Sequence, residues 1–125
     1  MDLNLPDIHA EVTAAFDRYE AALTGNDVET LDDLFWQSGQ VIRFGATENL
    51  YGHEEILAFR MGRSPANLSR TLRKTVITTF GRDFATANTE FTRDGEPRIG
   101  RQSHAWARFP EGWKIVAAHV SWMRS

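Results

Sequence analysis

Cysteine is absent from the chain. Disulfides, thiolate metal sites and cysteine nucleophiles are excluded together, and a cytoplasmic setting is the expectation. Long apolar runs are missing too. No window approaches the roughly 20 apolar residues of a spanning helix, and MDLNLPDIHAEV has no basic leader before an apolar stretch, so neither membrane anchor nor signal peptide is expected. Basic charge is not in excess: 14 Lys and Arg stand scattered against 17 Asp and Glu, for a net charge of -3, which leaves no electrostatic footprint for nucleic acid. The four histidines, His9, His53, His104 and His119, show neither His-x-His nor Glu-supported spacing, so no metal is expected. Nucleotide-binding glycine loops and Ser/His/Asp grammar are absent, and no cofactor is expected either.

What remains is the make-up of one ordinary domain over residues 1–125, with 42% hydrophobic and 25% charged residues. The first half reads as helix and the second as strand, which implies an α+β fold. Ile8, Val12, Phe16, Tyr19 and Leu23 recur every three or four residues after Pro6, the face of a long helix that Gly25 ends. Asn26 and Asp27 can cap a short second helix through Val28, Leu31 and Leu34. Gln40 to Phe44 reads as a strand with Val41 and Arg43 on one face. Tyr51 to Arg60 reads as a third helix with Glu54 and Glu55 in its first turn. Four long strands follow, about Arg70–Phe80, Phe84–Arg93, Arg98–Phe109 and Trp113–Met123, joined by turns short enough to make each pair an antiparallel hairpin. Such a sheet must curl around the three helices and leave a conical hollow at its open end.

A resemblance adds to this reading. Arg18-Tyr19-Glu20, Asn26-Asp27-Val28, Leu34-Phe35-Trp36, Glu48-Asn49-Leu50-Tyr51-Gly52, Ala58-Phe59-Arg60, Phe84-Ala85-Thr86-Ala87-Asn88, Gly100-Arg101-Gln102-Ser103 and the segment Ile115 to Ser121 span nearly the whole chain. In them the chain resembles the AtzH-like family, which includes the oxalurate-catabolism HpxZ proteins. That family lies in the SnoaL-like branch of the nuclear transport factor 2-like, cystatin-like superfamily. The resemblance implies a cone of three helices on a strongly curved, mostly antiparallel sheet. It implies a homodimer formed through the outer sheet face, and company with amidohydrolases of urea and ureido-acid catabolism. It further implies cofactor-independent decarboxylation of a carboxylated urea. His104 departs from the glutamine-like residue of the family pattern.

Tyr19 and Arg43 are the expected catalytic pair. Loss of carbon dioxide from an N-carboxy urea needs a proton at nitrogen as the bond breaks, and a phenol protonated at neutral pH can deliver it. Arg43 has the planar fork that fits a substrate carboxylate. Arg60, four residues after Ile56, is expected to reach the cavity, and Arg63 to stay solvated. Trp36 and Tyr51 are expected as walls. Asn88 and Glu90 share one strand face, as do Gln102 and His104, and all four are candidate substrate contacts; spacing alone does not say which face is inward. The last strand sets His119 and Ser121 against Val116, Ala118, Val120 and Trp122. The apolar set is the expected core, which pushes His119, another candidate contact, toward the dimer face. That outer face is expected to carry Thr89, Phe91 or their like. Two rival readings remain, a non-catalytic dimeric binding or assembly module serving an amidohydrolase, and a SnoaL-like lyase or isomerase. Tyr19 beside Arg43 at the cone floor, with no carboxylate next to the pair, favours the decarboxylase. An apolar closed cone favours the module, and Glu90 or His104 poised inside favours the lyase.

Overall fold

Pro6 opens the first helix, α1 (Pro6–Thr24), at a position whose backbone N–H would lack a helical partner anyway. The apolar stripe of α1 is buried through Ile8, Val12, Phe16, Tyr19, Ala22 and Leu23. Gly25 ends it, its N–H donating to the Ala21 carbonyl. The Asp27 side chain accepts from the Thr30 N–H and caps α2 (Val28–Leu34). The computed structural model describes residues 1–124.

Two short strands, β1 (Ile42–Phe44) and β2 (Asn49–Tyr51), precede α3 (His53–Gly62). Tyr51 was expected inside that helix and lies in β2 instead, paired with Ile42. Gly52 is the physical reason: its φ of 86° breaks the helical path, and its N–H donates to the Val41 carbonyl at 2.7 Å. The Glu55 carboxylate accepts from the Tyr51 N–H just upstream of the helix.

The long strands are β3 (Thr71–Phe80), β4 (Phe84–Arg93), β5 (Glu96–Phe109) and β6 (Gly112–Trp122). The six-stranded sheet runs β2-β1-β6-β5-β4-β3, antiparallel except where β1 lies parallel to β6. The helices cover one face, where Ala85, Ala87, Trp106 and Ile115 are fully buried with the α1 stripe. Thr89 and Phe91 lie on this inner face, not the outer one, because the buried residues of β4 alternate through Ala85, Ala87, Thr89 and Phe91. Val116 does not simply continue the inward set of Ala118, Val120 and Trp122. A register shift there pairs Ala105 with Ala117 and Trp106 with Ile115, so one extra residue reverses the alternation along β6. Among the described residues no helix is long and apolar enough to cross a membrane.

Candidate active site

Four elements and the loop after α3 converge beneath the helices. The buried stripe of α1 delivers Tyr19, 1% exposed, and the inward side of β1 delivers Arg43. The last turn of α3 delivers Arg60, also 1% exposed, with Arg63 just beyond it. Gln102 and His104 point inward from β5, and Arg70 enters from the residue before β3 with its side chain buried.

Aromatic rings carry the guanidiniums. Arg60 lies over Phe35 at 4.9 Å, Arg43 and Arg63 over Phe59 at 5.3 and 5.8 Å, and Arg70 over Phe91 at 4.5 Å. Gly100 makes the last of these possible, since a Cβ there would meet the Phe91 ring at 2.2 Å. Among the described residues, carboxylates answer only two of the four. Arg43 Nη1 donates to Glu48 Oε1 at 3.0 Å, so, against expectation, a carboxylate does stand beside the Tyr19 and Arg43 pair, brought there by the short turn between β1 and β2. Arg70 grips Glu20 through Nε and Nη2 at 2.9 and 2.7 Å, and Nη2 also donates to Gln102 Oε1 at 2.8 Å. All three Arg60 guanidinium nitrogens lack a hydrogen-bond partner among the described residues, as do Arg43 Nε, Gln102 Nε2 and both His104 nitrogens.

Electrostatics follow from this excess of cation. Burial pushes the Tyr19 phenol up, but Arg60, Arg70 and Arg43 together outweigh it and hold its pKa below the usual phenol value. Arg60 faces the Tyr19 hydroxyl without a well-aligned hydrogen bond. Burial, then Arg70, Arg60 and Arg43, hold His104 well below the ordinary imidazole value, so the ring is neutral. Burial and the neighbouring Arg60 and Arg43 bring Arg63 down to about 10. A buried charge without a counter-ion costs several kcal/mol. The arrangement is therefore suited to a small anion that supplies the missing negative charge and accepts from Arg60.

Tyr19, Arg43, Arg60, Gln102 and His104 thus come together. Other candidates do not join them. Asn88 and Glu90 alternate onto the outer face of β4, where Glu90 pairs with Arg73 at 2.9 Å. His119 also lies outside, its ring edge-on to Phe44, and the 55%-exposed Tyr51 packs on that same Phe44. Trp36 stacks on Phe109 and borders a separate hollow with Asp33 and Lys114. Arg63, expected in solvent, is half-buried on Phe59. Arg70 and Glu20 were not foreseen. Their pairing spans 50 residues of chain, and neither has a local pattern; the one sequence signal was an acid next to Tyr19. Among the described residues no group of three or more His, Asp or Glu is placed to hold a metal ion.

No curated protein matches the chain. A crystal structure of a protein of unknown function from the DUF3225 family of Pectobacterium atrosepticum is 62% identical, covers 98% of this chain and 95% of its own, and superposes with a TM-score of 0.97. A cystatin-like fold protein from Burkholderia xenovorans is 51% identical over 100% of this chain and 98% of its own, with a TM-score of 0.96. An NTF2-like protein of unknown function from Pseudomonas putida, 16% identical over 92% of this chain and 86% of its own, gives a TM-score of 0.76. The architecture is accordingly the nuclear transport factor 2-like, cystatin-like cone. A family model described as AtzH-like matches residues 1–125, and the chain belongs to the AtzH-like family.

Proposed function

We propose that the protein is a cofactor-independent enzyme of urea and ureido-acid catabolism that removes carbon dioxide from a small carboxylated urea-type acid inside the cone. The observation that carries this reading is Arg60, fully buried, unpaired among the described residues and facing the Tyr19 hydroxyl. In this scheme Arg60 and Arg43 hold a carboxylate that stays on the product. The bond from nitrogen to the departing carboxylate breaks with its electron pair left on nitrogen. The Tyr19 hydroxyl gives its proton to that nitrogen, and the phenolate is reprotonated from solvent. The surrounding guanidiniums stabilise the phenolate while it exists.

An inert assembly module calls for an apolar, closed interior, and four arginines are a poor match for that. A lyase or isomerase with His104 as base is the second reading, favoured by the inward imidazole. Its lowered basicity counts against it. We extend the proposal to a homodimer through the outer sheet face, where Phe84 and Val76 are 41% and 57% exposed. A functional link to an amidohydrolase and a cytoplasmic location complete it.

The test is carbon dioxide release from carboxylated ureas by wild type and Tyr19→Phe. The substitution removes one hydroxyl from a packed face, so stability should change by about 1 kcal/mol. Turnover should fall by roughly two to four orders of magnitude. A variant that keeps more than about a tenth of normal turnover removes Tyr19 from the mechanism.

A further inference from the structure

The unpartnered buried atoms of the cone are unequal in kind. Arg43 Nε, the three Arg60 nitrogens and Gln102 Nε2 are donors. Gln102 has no choice in this, because a guanidinium offers only donors and Arg70 Nη2 therefore fixes the amide oxygen toward itself, which leaves the NH2 group free. An imidazole in its neutral form carries one donor nitrogen and one acceptor nitrogen, and both nitrogens of His104 lack partners among the described residues at 2% exposure. The ring is held edge-on between Tyr19, at 4.6 Å between centroids and 90°, and Trp106, at 5.8 Å. Packing fixes its plane without satisfying its polar atoms. An anion alone satisfies donors and leaves the His104 acceptor empty, its lost hydration uncompensated.

We propose that His104 is a specificity-determining residue of the cone, one ring nitrogen accepting a hydrogen bond from an N–H or O–H that the bound acid carries beside its carboxylate. The assignment rests on the anion-site reading above and adds a second requirement to it. Acids with a hydrogen-bond donor, such as ureido or hydroxy acids, fit the cone, and plain carboxylates of equal length fit it less well.

N-carbamoylglycine and levulinic acid separate the two requirements, since levulinic acid keeps the chain length, the carbonyl and the carboxylate and carries CH2 and CH3 in place of the inner N–H and the terminal NH2. Calorimetry of wild type should find N-carbamoylglycine bound about tenfold tighter or more, as expected of a site whose polar group is otherwise left unpaired. His104→Gln, which restores an amide acceptor and donor, should keep the preference, and His104→Leu should abolish it while both acids still bind. Equal affinity of wild type for the two acids overturns the assignment, and so does a preference that survives in His104→Leu. Failure of both acids to bind wild type overturns the anion site itself and the assignment with it. Should His104→Leu not fold, nitrogen NMR of the imidazole in wild type decides the matter. The acceptor-nitrogen signal should move with N-carbamoylglycine and stay in place with levulinic acid; the same movement with both overturns the role.

Discussion

Replacing Arg60 by methionine should weaken ligand binding and leave the ligand-free protein within about 1 kcal/mol of its stability, or more stable. The direction follows from the missing counter-ion: the guanidinium is 1% exposed and none of its three nitrogens has a partner among the described residues. Exchanging poorly compensated buried charge for an apolar chain of similar length stabilises proteins by ~1–4 kcal/mol. The stacking on Phe35 at 4.9 Å is lost, which costs up to about 2 kcal/mol in a desolvated setting. The balance lies between a loss of about 1 kcal/mol and a gain of roughly 4 kcal/mol. In a domain of this size each kcal/mol moves the melting temperature by roughly 3–5 °C. Calorimetric melting in a buffer poor in small anions reads the shift directly. Added N-carbamoylglycine at a hundred times its dissociation constant should stabilise wild type by about 2.7 kcal/mol and Arg60→Met hardly at all. A variant that loses more than about 1 kcal/mol without ligand, or that shows the full wild-type response to the acid, refutes the account of Arg60 as a charge awaiting its anion.

His104 gives a pH prediction. Its folded pKa is depressed, so the stability it contributes is present above the unfolded value of about 6.5 and is lost as pH falls below it. Melting temperatures of wild type should therefore fall more steeply between pH 7 and pH 5 than those of His104→Gln, and parallel curves would reject the buried neutral imidazole. The outer sheet face predicts a dimer in light scattering, and a mass of one chain, 14.2 kDa, persisting at high concentration defeats that expectation.

Periodicity in the chain determined the α1 stripe from Ile8 to Leu23, the three hairpins of the meander, and the placement of Val41 and Arg43 on a common face, because helical and strand repeats are local properties. It also brought Tyr19 and Arg43 into one site, since both sit on faces whose neighbours are apolar. Alternation says which residues share a face, but not which face is covered. Asn88 and Glu90 went outward while Gln102 and His104 went inward through the curl of the sheet under the helices, and through cross-strand register. One extra residue at Val116 was enough to reverse β6. Charge pairing is the least local property of all. Glu48, five residues from Arg43, neutralises it, Glu20 neutralises Arg70 across 50 residues, and among the described residues Arg60 receives no carboxylate. Which arginine awaits a ligand was decided by that distribution of partners, and only the tertiary structure fixes it, because an ion pair requires two side chains to meet in space wherever they stand in the chain.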